Sequence, residues 1–134
     1  MPRNYTIVSN RPLSSTQVED LRVQVGWDRM EGYYEHILER SYCYYSIHDK
    51  EQLIAFVNVI SDGIADAFLV DLMVHPDHQR QGAGTALVKH AIADLRSRGV
   101  RSIQVVFARH LEPFYRQCGF DIHLSGIIDN WNNP

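Results

Sequence analysis

Apolar and polar residues alternate from Asn4 to Ser9 (NYTIVS), which predicts a strand. Pro12 and the Ser14-Ser15-Thr16 cluster supply a turn and a helix cap ahead of VEDLRVQV. A second helical stretch, Met30 to Arg40, sets Tyr33, Tyr34, Ile37 and Leu38 at three- and four-residue spacings. Two β-rich runs follow, Tyr42 to His48 and Gln52 to Ser61, joined through the polar Asp49-Lys50-Glu51-Gln52 as a hairpin. A third run, Ala67 to Val74, comes after the Asp62-Gly63 turn, so three antiparallel strands are expected in succession.

The clearest helix runs from Gly84 to Arg98, where Leu87, Val88, Ala91, Ile92 and Leu95 form one stripe at a period of 3.6. Arg96 and Arg98 complement its C-terminal dipole, and Gly99 offers a left-handed cap. Ser102 to Phe107 returns as a buried strand, Leu111 to Gln117 as a short helix, and a last strand starts at Phe120. A strand, a long helix and a strand in sequence imply one parallel crossover in an otherwise antiparallel sheet, hence a mixed α/β fold.

With 134 residues, 45% of them apolar and 22% charged, the chain reads as one globular domain over residues 1–134. No window approaches the roughly 18 consecutive apolar residues of a membrane helix, and the start lacks the apolar stretch of a signal peptide. A cytoplasmic location and no membrane partner are therefore expected. Thirteen basic against sixteen acidic residues give a net charge of −3, so no charge excess draws the chain to nucleic acid. Two cysteines, Cys43 and Cys118, are too few for a disulfide framework.

Between Val74 and the long helix lies HPDHQRQGAGT, in which Gln79, Gly82 and Gly84 form Q-x-x-G-x-G. Glycine at 82 and 84 leaves the first-turn amides open to a phosphate at the positive end of the helix, a pyrophosphate cradle; the alternative is a plain tight turn. The chain has no G-x-x-x-x-G-K-[ST], and Leu87 stands where a G-x-G-x-x-G fingerprint from Gly82 needs glycine. Nucleoside triphosphates and NAD are thereby disfavoured. His75-x-x-His78 does not read as a metal pair, because Pro76 blocks the helix that would align both rings and no third ligand is evident, so no metal is expected. G-x-S-x-G of a serine hydrolase is absent as well.

Residues Val70 to Phe120, VDLMVHPDHQRQGAGTALVKHAI followed by FYRQCGF, resemble the acetyl-coenzyme A binding core of the GNAT superfamily of N-acetyltransferases. VGW, the ISDG turn and the FARHLEPFYRQCGF segment also look like the branch containing plant chloroplast acetyltransferases. The resemblance implies a mostly antiparallel α/β (α+β) sheet of six to seven strands with about four helices, and a splayed strand pair that binds acetyl-CoA. It implies acetyl transfer from acetyl-CoA to a primary amine, on a small molecule or a protein, by direct attack in a ternary complex. A homodimer is common in the family.

By position, the resemblance assigns the pantetheine arm to the backbone of Leu72, Met73 and Val74, with an amide near Met73 and Val74 as oxyanion donor. It assigns the pyrophosphate to the amides of Gln81, Gly82, Ala83, Gly84 and Thr85, with Gln79 ordering the loop. Arg80 is either a phosphate contact or a solvated charge. Tyr115 matches the family's general acid, protonating a leaving thiolate; the alternative is a core tyrosine.

A free alkylamine, with a pKa of about 10.4, must lose a proton before attack. Asp71, inside the apolar run FLVDLMV, is the candidate base, or else a carboxylate that holds a loop or an arginine. Where many members carry an asparagine after the strand ending here as FARHLEP, this chain has Arg109 and His110. Trp27, Tyr33, Tyr34, Tyr42, Tyr44 and Tyr45 lie near Asp28, Glu31 and Glu35 and suggest an aromatic cage for a cationic amine, or else core and dimer contacts; Trp131 could serve either role. Nothing beside Cys118 would activate it, which disfavours a covalent intermediate. The alternative function is a non-catalytic acyl-CoA-binding regulatory module.

Overall fold

The computed structural model describes residues 4–131. Five strands form one sheet in the order β1 (Ile7–Ser9), β2 (Cys43–Asp49), β3 (Gln52–Ser61), β4 (Asp66–Val74) and β5 (Ser102–Val105). All neighbours are antiparallel except β4 and β5, which run parallel across the long helix α3 (Ala83–Ser97). The expected crossover is therefore present. Helices α1 (Ser15–Gln24), α2 (Tyr34–Arg40) and α4 (Glu112–Gln117) complete the set.

The sheet separates two apolar layers. The α3 stripe of Leu87, Val88, Ala91 and Leu95 packs on Tyr45, Ile47, Val57, Val59 and Leu69. On the other face Val18, Leu21 and Tyr34 cover Tyr44, Phe56 and Met73. This division follows the strand's period of two, and it carries Tyr44 and Tyr45 to opposite sides. No helix among the described residues is long and apolar enough to cross a membrane.

The six or seven strands expected reduce to five among the described residues, and the strand expected from Phe120 does not form there. Phe120 N–H instead closes the end of α4 on the carbonyl of Tyr115 at 3.1 Å, and residues 120–129 hold no regular element. A strand exists only where a neighbour satisfies its amides, and β5 has no partner on its outer edge among the described residues. Leu124, Ile127 and Ile128 are consequently exposed.

Two devices fix the entry to α1 and the loop after it. Ser14 and Gln17 form a capping box. Buried Glu19 accepts from the Ser15 hydroxyl at 2.5 Å and the Gly32 amide at 3.1 Å, and it pairs with Arg29 at 3.3 Å. The Ser15 hydroxyl, more than Gly32 or Arg29, holds the Glu19 carboxyl below the usual glutamate range against the opposing effect of burial. A depressed carboxyl contributes stability above its unfolded pKa of about 4.3 and loses it as pH falls through the lower folded value. Glu19→Gln is expected to melt below wild type at pH 7, with the gap closing under about pH 4 in thermal scans.

Candidate active site

The parallel ladder between β4 and β5 stops at Leu69 and Val105, while β4 runs on to Val74. Beyond that point the backbone of Val70 to Val74 has no strand on its β5 side among the described residues. The divergence opens a cleft of about 520 Å³ lined by Trp27, Phe68, Asp71, Leu72, Phe107 and Tyr115, among others. Asp71 and Tyr115, distant in sequence, thus share one cavity.

A bulge in β4 sets the direction of Asp71. Pairing steps from Asn58 with Val70 to Phe56 with Met73, so β4 carries one residue more than β3 across that interval. Asp71 takes the extra place in left-handed conformation, φ +57. Its Oδ2 accepts a 2.8 Å hydrogen bond from the hydroxyl of buried Tyr34, which in turn accepts from Arg22 Nη1 at 3.1 Å. Burial first, and the Asp71 charge second, push the Tyr34 hydroxyl well above its ordinary value and keep it a donor.

Past Val74 the chain makes a short 3₁₀ turn, Pro76–His78, capped by His75 Nδ1 accepting from the Asp77 amide at 3.1 Å. His75 is thereby a cap, and among the described residues no group of three or more His, Cys, Asp or Glu is placed to hold a metal. Gln79 Nε2 donates to the Val74 carbonyl at 2.9 Å, tying the loop to the end of β4. Gln81 donates to the Asp77 carbonyl and accepts from the Tyr5 hydroxyl, both at 3.2 Å.

Gly82, at φ +88 and ψ 5, turns the chain into α3 and lends no side chain to the helix start. The first hydrogen bond of the helix is Ala86 N–H to the Gly82 carbonyl at 2.9 Å, so the amides of Ala83, Gly84 and Thr85 point out of the helix end without an intrahelical acceptor. A Cβ at Gly84 would touch Phe114 and Val74 side chains at 3.5 Å, ordinary contact. An alanine therefore fits at position 84, whereas the left-handed backbone at 82 favours glycine. Exposed Arg80 makes no ion pair with any described residue.

Tyr115, only 4% exposed, stacks on Phe107 at 4.5 Å and meets Phe114 and Phe120 edge-on. No described residue hydrogen-bonds its hydroxyl. Burial pushes that phenol up to about 12, so it is a protonated donor throughout the neutral range.

The sequence model of the Acetyltransferase (GNAT) family matches residues 11–120. The chain belongs to that family. Serotonin N-acetyltransferase 2, chloroplastic, of Oryza sativa is 36% identical over 74 residues, 55% of this chain and 37% of that protein. This GNAT chain thus spans well under two thirds of that relative. Among solved structures, a GNAT family acetyltransferase from Streptococcus pneumoniae superposes with a TM-score of 0.75 at 27% identity, covering 93% of this chain and 96% of the other. A GNAT family acetyltransferase from Brucella melitensis, solved in complex with acetyl-CoA, shares the fold with a TM-score of 0.69 at 19% identity, covering 89% and 84%.

The aromatic cage does not assemble in this GNAT fold. Tyr44 donates to the Arg11 carbonyl at 3.0 Å, and Tyr45, on the α3 face, donates to Asp94 at 2.5 Å. Tyr42 lies under the Arg98 guanidinium. Trp27 alone of the six lines the cleft, held beneath Arg22 at 5.2 Å, while Tyr33 and Trp131 are exposed outside it. His110 and Leu111, from the 3₁₀ turn Arg109–Leu111, border the cleft on the far side. Burial raises the thiol of Cys118, which opposes thiolate formation. The residue that sequence reasoning misplaced is Tyr34: its aromatic character was legible, but its bond to Asp71 spans 37 positions and leaves no local signal.

Proposed function

We propose that the protein moves an acetyl group from acetyl-CoA to a primary amine by direct attack in a ternary complex. The observation that carries this reading is the cleft opened where β4 leaves β5, with Asp71 and Tyr115 both on its wall. The free edge of Leu72, Met73 and Val74 suits an extended pantetheine arm. The uncapped start of α3, with the amides of Gln81 to Thr85 and the unpaired Arg80, suits a pyrophosphate.

In this mechanism Asp71 takes the ammonium proton through a water, the neutral amine attacks the thioester carbonyl, and the carbon–sulfur bond then breaks. A backbone amide near Met73 and Val74 carries the developing oxyanion. Tyr115 hydrogen-bonds the departing sulfur. With the phenol at about 12, complete transfer to a thiolate of about 8.5 is uphill by roughly 5 kcal/mol, so the hydroxyl acts chiefly as a donor. The net proton comes from the amine.

The test is thiol release with acetyl-CoA and a panel of amines. Asp71→Asn is expected to lower the neutral-pH rate by about a hundredfold and to recover in part as pH approaches about 10, where the amine deprotonates unaided. A loss that stays flat with pH would assign Asp71 to structure instead. Acetyl-CoA binding with no amine-dependent release would favour the non-catalytic acyl-CoA module.

A further inference from the structure

We propose that Tyr34 is a positioning residue for acetyl transfer, holding the Asp71 carboxylate on the bulge of β4, with Arg22 holding Tyr34 in turn. The inference rests on the reading of Asp71 as the amine's base. A non-glycine residue in left-handed conformation costs about 1–2 kcal/mol, and it persists where surrounding contacts over-determine it. At Asp71 that contact is the Tyr34 hydroxyl, delivered from α2 to Oδ2 at 2.8 Å.

The ring of Tyr34 already has its packing. It is fully buried, edge-on to Phe56 at 6.2 Å and to Tyr33 at 5.3 Å. A phenylalanine fills the same space, so the hydroxyl is the part that core packing leaves unexplained. Its oxygen accepts from Arg22 Nη1 and donates to Asp71, which fixes the direction of the phenol proton toward the carboxylate.

Arg22 also reaches a second residue of the cleft wall. Its Nε donates to the Asp28 carbonyl at 2.6 Å, and its guanidinium lies over Trp27, which lines the same cleft as Asp71. One arginine on α1 therefore sets both the cleft's aromatic wall and, through Tyr34, its carboxylate. The remaining ionisable groups on that cleft, His110 and Tyr115, come from the far side.

The experiment is a double-mutant cycle on kcat and KM. Hydrogen bonds to charged groups are worth about 1.5–3 kcal/mol, so Tyr34→Phe is expected to lower kcat for the amine about tenfold or more, leaving KM for acetyl-CoA unchanged. In an Asp71→Asn background the same change is expected to cost nothing further. Equal losses in both backgrounds, or no loss in wild type, would overturn the positioning role. Full activity in Asp71→Asn alone would instead remove the base on which it rests. If Tyr34→Phe does not fold, Arg22→Gln takes its place in the cycle; because Arg22 also holds Trp27, the decisive quantity is the part of its loss that Asp71→Asn abolishes, and a loss with no such part would overturn the positioning role.

Discussion

Tyr115→Phe is expected to lose turnover while keeping stability. The two effects separate because the ring and the hydroxyl do different things. The ring stacks on Phe107 and packs edge-on against Phe114 and Phe120, and phenylalanine keeps every one of those contacts. The hydroxyl has no hydrogen-bond partner among the described residues although the residue is 4% exposed. Its removal breaks no hydrogen bond to a described residue, and the side chain lines the open cleft, so the melting temperature is expected to stay level. Loss of the donor to the leaving sulfur is expected to lower kcat about a hundredfold, with acetyl-CoA affinity unchanged. Melting scans beside stopped thiol-release assays read both. Retained turnover would return Tyr115 to the core.

Gly82→Asp is expected to abolish measurable affinity for acetyl-CoA in a protein that still folds. Gly82 sits at φ +88 where the loop turns into α3, a conformation that aspartate adopts at a cost of about 1 kcal/mol. Its carboxylate would compete for the same open amides that suit a pyrophosphate. Two like charges about 5 Å apart repel by roughly 3 kcal/mol at an effective dielectric near 20, which alone weakens binding about a hundredfold. Gly84→Ala is the matched control, since its new Cβ meets Phe114 and Val74 only at 3.5 Å. Calorimetry with acetyl-CoA should lose its signal for the first variant and keep it for the second. Wild-type affinity in Gly82→Asp would detach the start of α3 from cofactor binding.

Both predictions concern residues legible before any fold was known, and the reason is local. Glycine at 82 marks a turn into a helix whose stripe of Leu87, Val88, Ala91 and Leu95 is set by a period of 3.6. The sequence order of β4, α3 and β5 likewise implies a parallel crossover, because a short turn cannot join parallel strands. Phe120 misled for a physical reason. Its alternation with Ile122 and Leu124 is strand-like, but alternation describes one face of a ladder and does not supply the neighbour that completes it.

The sequence by itself determined the apolar stripe of α3, the glycine turn that leads into it and the presence of Asp71 and Tyr115, since each depends on residues within a few positions of one another. Tertiary structure alone decided that β4 bulges at Asp71, that it parts from β5 after Leu69, and that Tyr34 and Arg22 reach the carboxylate there. Those facts depend on where strand pairing ends and which helix lies across it. That is settled by packing between segments far apart in the chain, where local periodicity carries no information.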